Sequence, residues 1–194
     1  MKRRGFTLIE MMVAVSLFAT LGLIMTDLFL IFNRAQRRTQ AAAAVQSDAR
    51  VMLAQITDLI RSGQIDYSQY NPSVTNPTTQ LFLIDSQGRN VLIRKSDTVF
   101  ANTKCPNAAS TPCLEISVNG GPFSAMTSKR LKVIGTAFYI DPPQSPTVQS
   151  GGVYTYNRQP RVTLTIGMQG VSLQVPEQAT TFVQTTITSR FLLR

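Results

Sequence analysis

One carboxylate lies in an unusual place near the start of the chain. Residues Leu8–Phe32 are nearly all apolar, and Glu10 falls inside this run, shortly after a basic leader, Lys2–Arg4, and a glycine, Gly5. An ionised side chain inside the hydrocarbon of a membrane costs roughly 2.5–3.5 kcal/mol on insertion scales, so such a residue usually has a partner and a function. Glu10 is therefore the first candidate for a functional residue.

The apolar run has the dimensions of a membrane-spanning helix. Its charge-free part, Met11–Thr26, has 16 residues, slightly fewer than the ~18 that usually identify a span. Counted from Phe6 to Phe32, the run would form a helix ~40 Å long. It spans the membrane if Asp27 reaches the outer interface and Glu10 stays just inside the hydrocarbon. We therefore predict a membrane-spanning helix over residues 6–32.

Two simpler targeting segments compete with this interpretation. A secretory signal peptide explains the basic leader, but the apolar run is too long, contains Glu10 and has no small-x-small cleavage site before Arg34. A plain signal anchor stays open as an alternative, and the flanking charges do not decide its orientation because each side has three. These are Lys2, Arg3 and Arg4 on one side and Arg34, Arg37 and Arg38 on the other. We expect the second group to meet anionic lipid headgroups.

The segment from about Lys2 to Phe32 resembles the N-terminus of type IV pilins and of type II secretion pseudopilins. The resemblance implies that residues 1–5 are a leader, that a prepilin peptidase cuts between Gly5 and Phe6, and that it methylates Phe6. It also implies that Glu10 pairs with the N-terminal amine of a neighbouring subunit during assembly. The implied partners are other pilin or pseudopilin subunits, the peptidase and membrane lipid. Asp27 is less usual in such a segment.

The helix is predicted to continue beyond the apolar run, over residues 33–62. Apolar side chains recur at spacings of three and four and form one stripe, which indicates an amphipathic helix packed on a folded domain. The stripe consists of Val45, Ala49, Met52, Leu53, Ile56, Leu59 and Ile60. Gly63, just beyond the stripe, is a residue type that commonly ends a helix. We predict one continuous helix from Phe6 to Ser62, with a break near Asn33 as the alternative.

Residues 63–194 are predicted to form a β-rich head. Short apolar or alternating runs indicate strands at 81–84, 91–93, 98–100, 114–118, 131–140, 162–166 and 181–193. Asp85–Asn90 is predicted to be a hairpin turn, and Gly135 a β-bulge. Residues 65–79 and 142–152 are predicted to be irregular. The predicted fold class is α+β, with a long N-terminal helix packed on an antiparallel sheet, and this plan also resembles the pilin fold.

Composition argues against catalysis. The chain has no histidine, so the commonest general base and metal ligand is missing, and its acidic residues are scattered. We predict no enzymatic activity, no cofactor and no metal site. The net charge is +9, and loss of the leader would leave 16 basic against 10 acidic side chains. Few charges among many Thr, Ser, Gln and Asn suit an exported β-rich domain.

The two cysteines, Cys105 and Cys113, span a loop between two predicted strands. Two thiolates without histidine do not provide the four ligands of a structural zinc site. In an exported domain we expect a disulfide, which would contribute ~2–3 kcal/mol if unstrained, with two free thiols as the alternative.

Two basic groups in the head suggest a DNA-binding alternative. They are Lys129, Arg130 and Lys132, and Arg158 and Arg161, with Tyr154 and Tyr156 close to the second group. Cations beside aromatic rings attract nucleic acid through phosphate contacts and base stacking. The simpler interpretation, which we favour, is a set of solvated strand ends.

The sequence therefore predicts a structural subunit, a minor pilin or a pseudopilin. The run Met11–Ala14 and the Thr-rich closing strand resemble minor pilins and J-type pseudopilins in particular. The predicted location is the cytoplasmic (inner) membrane, with a single span and an exported head, and the filament after assembly. The alternatives are a DNA-binding competence pilin and a membrane-anchored exported domain with another role, including an enzyme.

Overall fold

The computed structural model describes residues 7–70, 72–96, 105, 111–150, 152–156, 158–171 and 178–190. The chain forms two compact units, Met1–Gln40 and Ala41–Arg194. Two of the predicted features, the helix start at Phe6 and the strand at 98–100, lie outside the described residues.

The first helix, α1, runs without interruption over Leu8–Ser62. This confirms the prediction of one continuous helix, and the alternative break near Asn33 is absent. No proline lies in this stretch, so no backbone N–H is missing from its hydrogen-bond ladder. By length and composition α1 contains a segment able to cross a membrane, although a signal sequence near the N-terminus meets the same criterion.

The second half of α1 belongs to the second unit and buries one face there. Its buried residues are Val45, Ala49, Met52, Ile56 and Ile60, all from the predicted stripe. The helix ends where Gly63 donates its N–H to the carbonyl of Leu59 at 3.0 Å. A Cβ on Gly63 would lie 2.6 Å from the carbonyl oxygen of Ile84, so this position has no room for a side chain.

The second unit contains a five-stranded antiparallel sheet. Its strands, in both chain and spatial order, are β1 (Gln64–Ile65), β2 (Gln80–Ile84), β3 (Asn90–Lys95), β4 (Leu114–Val118) and β5 (Ser124–Ala125). The predicted hairpin between β2 and β3 is confirmed, since Gln80–Ile84 pairs with Asn90–Arg94. Its turn needs a glycine, because Gly88 has φ +76°.

A second sheet has three strands in the order β10-β9-β6. These are β6 (Leu131–Asp141), β9 (Arg161–Gly170) and β10 (Thr180–Thr188). The register between β6 and β9 shifts between Val133 and Gly135, which confirms the predicted bulge. The loop predicted at 142–152 is not wholly irregular, because β7 (Gln149–Ser150) pairs with β8 (Val153–Tyr154).

The segment predicted to be irregular at 65–79 is not wholly so, because Ile65 belongs to β1 and Tyr67–Gln69 forms a short 3-10 helix. Two tyrosines hold this segment in place. The hydroxyl of Tyr67 donates to the carbonyl of Pro142 at 3.0 Å. The hydroxyl of Tyr70 donates to the carbonyl of Gln80 at 3.1 Å and accepts from the N–H of Phe82 at 3.0 Å. Burial raises the pKa of Tyr70 to about 12, so its hydroxyl remains protonated and able to donate at neutral pH.

One hydrophobic core joins the stripe of α1 to the buried faces of both sheets. Its largest fully buried side chains include Ile56, Leu83, Phe138 and Ile166. The predicted α+β class, with a long N-terminal helix packed on antiparallel sheets, is confirmed.

We predict that Ile56→Ala lowers the free energy of unfolding of the second unit by about 2–5 kcal/mol, because it leaves a cavity in a closely packed core. Ile56 is 0% exposed, whereas Val51 on the same helix is 58% exposed. Val51→Ala is the matched control and should change stability by less than about 0.5 kcal/mol. Denaturant titration of the full chain in detergent measures both, and equal effects would contradict the packing described here.

Candidate functional site

The candidate site at the N-terminus is described from Thr7 onward. Gly5 and Phe6 lie outside the described residues, so cleavage between them and methylation of Phe6 stay predictions. The same holds for the basic leader, Lys2–Arg4.

Glu10 participates in a helix cap. The backbone N–H and the hydroxyl of Thr7 both donate to Oε2 of Glu10 at 3.3 Å. In return, the N–H of Glu10 donates to the hydroxyl oxygen of Thr7 at 3.3 Å. This reciprocal arrangement is a capping box, which satisfies donors at the first turn of α1. The spacing Thr-x-x-Glu is visible in the sequence and is the signal by which this cap could have been predicted.

The cap occupies only half of the Glu10 carboxylate. The bonds to Thr7 use Oε2, and in the part of the chain that the structure describes Oε1 accepts no hydrogen bond. The side chain is exposed and in the first turn of α1. A local structural role and an interaction with another molecule are therefore compatible at this residue.

In the apolar part of α1, the serine and threonine hydroxyls bond to the backbone of the same helix. Three hydroxyls donate to backbone carbonyls of the same helix: Ser16 to Val13 at 2.9 Å, Thr20 to Leu17 at 2.9 Å and Thr26 to Gly22 at 2.8 Å. Such bonds remove unsatisfied donors from a segment that no water contacts inside a membrane. Asp27 differs, since it is exposed and makes no hydrogen bond or ion pair within the described chain.

The two basic groups of the head do not form one patch. Lys132 pairs with Gln169, whereas Arg161 pairs with Asp141 at the opposite end of β6 and β9. Nine residues of extended strand separate the two ends, or about 30 Å. Lys129 and Arg130 are exposed and lie just before Leu131, the first residue of β6.

The second basic group is largely engaged with a carboxylate. Nη2 of Arg161 lies 2.7 Å from Oδ2 of Asp141, and Nη1 of Arg158 lies 3.7 Å from the same oxygen. Tyr154 on β8 is 44% exposed, and Tyr156 is partly buried. The two arginines therefore share one countercharge, which weakens their attraction for phosphate.

Cys105 and Cys113 form a disulfide, with their Cα atoms 5.9 Å apart. Cys113 also exchanges two hydrogen bonds with Ser96: its carbonyl accepts from the N–H of Ser96 at 2.8 Å, and its N–H donates to the hydroxyl oxygen of Ser96 at 2.9 Å. The disulfide therefore joins Cys105 to a residue that is already fastened beside the end of β3.

A buried ion pair lies next to this disulfide. Nε of Arg94 on β3 donates to Oε1 of Glu115 on β4 at 2.8 Å, and the Glu115 side chain is 0% exposed. The ring of Phe123 lies 3.8 Å from Cζ of Arg94, in cation–π geometry. Sγ of Cys105 lies 4.0 Å from Oε2 of Glu115. The sequence alone did not predict this cluster, because only the strand register brings Arg94 opposite Glu115.

Neither candidate region has the composition of a metal centre. Among the described residues, no group of three or more His, Cys, Asp or Glu side chains could hold a metal ion. The Arg94–Glu115 pair is buried and surrounded by structural contacts, so we assign it to stability.

We predict that Glu115→Gln lowers the free energy of unfolding by about 3 kcal/mol, because it removes a fully buried carboxylate that pairs with the largely buried guanidinium of Arg94. Asp141→Asn is the matched control: its carboxylate pairs with two arginines that are more than half exposed, so the loss should stay below about 1 kcal/mol. Thermal unfolding of both variants, with the disulfide intact, measures the difference. A loss for Glu115→Gln no larger than that of the control would contradict the structural assignment.

The N-terminus of the chain matches a known family model. Residues 1–26 match the family model described as the prokaryotic N-terminal methylation motif. No curated protein and no solved structure matches the chain. The match includes Gly5, Phe6 and Glu10, the three residues that carry the resemblance found in the sequence. The chain therefore carries, at its N-terminus, the methylation motif that is the signature of type IV pilins.

Proposed function

We propose that this chain is a structural subunit of a type IV pilus or a type II secretion pseudopilus. It is processed after Gly5 and assembles through its N-terminal helix. The observation that carries the proposal is the methylation motif at residues 1–26, which continues directly into the apolar half of α1.

The exposure of the apolar segment supports this function. The large apolar side chains of the segment are between 47% and 80% exposed, and Leu8, Phe18 and Phe32 are each more than 65% exposed. Exposing so much apolar surface to water is unfavourable at about 25 cal/mol per Å². The segment therefore requires a lipid environment before assembly and the helices of other subunits after it.

Oε1 of Glu10 accepts no hydrogen bond from the described residues, which suits it to the contact that assembly requires. After cleavage, the amine of Phe6 is a new positive charge at the end of each subunit. We propose that Oε1 of Glu10 accepts a hydrogen bond from this amine of a neighbouring subunit, while Oε2 keeps the cap with Thr7. Hydrogen bonds to charged groups are worth about 1.5–3 kcal/mol, which is enough to select the correct helix register.

The finer assignments rest on the same features. We propose a leader at 1–5, an assembly helix at 6–32, an amphipathic helix at 33–62 and a β-rich head at 63–194. A disulfide between Cys105 and Cys113 suits an exported head. The subunit would be a minor pilin or a J-type pseudopilin, anchored by one span in the cytoplasmic membrane until it enters a filament.

We predict that the chain recovered from the membranes of its own cells begins at N-methylated Phe6, because the peptidase removes Met1–Gly5. Intact-protein mass spectrometry with N-terminal sequencing measures this directly. Gly5→Leu is the control and should retain Met1, because a bulky side chain then lies next to the scissile bond. A wild-type chain that still begins at Met1, in cells with active prepilin peptidase, would exclude the pilin function.

We predict that Glu10→Gln lowers the amount of this subunit in sheared filaments by about 10–100-fold, as expected for the loss of a 1.5–3 kcal/mol bond. Glutamine can still form the capping box, so only the charge is removed. Asp27→Asn removes a charge from the same helix without touching Thr7 and is the matched control.

Quantitative blotting of filament and membrane fractions gives the ratio. Normal incorporation of Glu10→Gln together with loss in Thr7→Ala would show that Glu10 acts only through the cap. Equal losses in Glu10→Gln and Asp27→Asn would point to insertion into the membrane as the affected step.

A further inference from the structure

The three-stranded sheet has two edges, and the one formed by β6 is occupied along its second half. Phe138 and Thr78 exchange two backbone hydrogen bonds there, at 2.8 and 2.9 Å. The side-chain amide of Asn76 pairs with the backbone of Ile140 in the same manner, donating from Nδ2 and accepting at Oδ1, each at 2.8 Å. These contacts occupy the outward backbone groups of Phe138 and Ile140, in the second half of β6.

The other edge, formed by β10, is open as far as the described residues are concerned. The N–H of Gly170 donates to the carbonyl of Ala179 at 2.9 Å, so Ala179 lies at a hydrogen-bonded position of the β9–β10 pairing. Along β10, residues that bond to β9 then alternate with residues that do not. Odd-numbered residues of β10 therefore bond to β9, and the backbone groups of Phe182, Gln184 and Thr186 point away from the sheet. In the part of the chain that the structure describes, these outward groups have no hydrogen-bond partner.

The composition of β10 does not protect this edge. Its nine residues, Thr180–Thr188, include no charged residue and no proline. Proteins usually block exposed edges with charges, prolines, bulges or very short strands. The five-stranded sheet uses the last device, since its edges β1 and β5 have two residues each. A long, neutral, unprotected edge is a binding surface for another strand.

The one large aromatic side chain of β10 leaves the edge accessible. Phe182 is 74% exposed and lies directly opposite Gly167 on β9. A Cβ on Gly167 would lie 2.7 Å from Cε1 of Phe182, so the ring covers this glycine. Because the ring leans inward over the sheet face, it does not obstruct the outward N–H and C=O groups.

We propose that the open edge of β10 binds the β10 strand of a second copy of this chain, antiparallel and centred on Gln184. Only the outward-pointing, even-numbered residues of β10 can form hydrogen bonds to the second copy. When Gln184 lies opposite Gln184 of the second copy, all nine residues of each strand are paired. Phe182 then faces Thr186 of the second copy, a favourable aromatic and β-branched pair. No like charges meet, because the nearest flanking charge, Arg190, faces Gln178 of the other copy.

This pairing is closed by its geometry. Both copies use the same edge, that of β10, and Thr78 and Asn76 already occupy the outward groups of Phe138 and Ile140 on β6. Because the same surface binds on both copies, the contact gives a two-fold dimer and does not continue into a fibre. The contact uses neither Glu10 nor the apolar segment, so it does not depend on the proposed filament function.

Cysteine cross-linking of the full chain in detergent tests the register. Gln184→Cys places two thiols opposite each other across the two-fold axis, with Cα atoms about 5.5 Å apart, within reach of a disulfide. We expect a covalent dimer on mild oxidation, with a yield at least tenfold above that of Val153→Cys. Val153 is 70% exposed on β8 and is the matched control for random collisions. Equal yields from the two variants would overturn the proposal.

A second variant separates this contact from association through the apolar segment. Gln184→Pro removes one outward N–H but no bond to β9, so the fold should survive with a similar melting temperature. We expect the dimer fraction in sedimentation to fall at least tenfold. A dimer that persists in Gln184→Pro, or a wild-type chain that is monomeric at tens of micromolar, would overturn the proposal. If Gln184→Pro fails to fold, Gln184→Lys, which places like charges opposite each other, replaces it with the same expected loss.

Discussion

The burial of one helical stripe against two sheets is the constraint on which the second unit depends. Val45, Met52, Ile56 and Ile60 are at most 2% exposed, and they share one core with the buried faces of both sheets. A sheet is a single layer, so its apolar face must be buried against another element. The stripe of α1 contributes to this burial for both sheets. The stripe also requires the helix to end at a defined place, and Gly63 provides it, since β2 passes too close for any side chain.

The same helix follows a different rule in its first half. There the apolar residues surround the helix, and hydroxyl groups bond to the helix itself instead of to partners elsewhere. This is the pattern expected where lipid or other helices replace water. Glu10 lies in this half: its Oε2 completes the local cap, and its Oε1 accepts no hydrogen bond from the described residues.

Periodicity allowed much of the fold to be predicted from the sequence. The stripe of α1, the alternating residues Val162, Leu164 and Ile166, and the turn at Asp85–Asn90 are local patterns, and the structure contains each of them. The Arg94–Glu115 pair was not predictable in this way, because it depends on which strands are neighbours and in which register. The register also explains why Lys132 and Arg161 lie at opposite ends of one strand pair.

The candidate site was predictable for a different reason. Gly5, Phe6 and Glu10 belong to a short linear motif, so their identification required no tertiary contacts. The capping box between Thr7 and Glu10 is equally local and could have been found from spacing alone. The open edge of β10 could not, because an edge is defined only once the order of all strands is known.

The contact between Phe182 and Gly167 has a consequence for sequence change. The ring occupies the volume that a side chain at residue 167 would need, so the two positions cannot both carry bulky residues. Loss of the ring would in turn leave an uncovered glycine in the central strand, where it weakens the sheet. Residues 167 and 182 are therefore expected to vary together during evolution: a larger residue at 167 should be accompanied by a smaller one at 182.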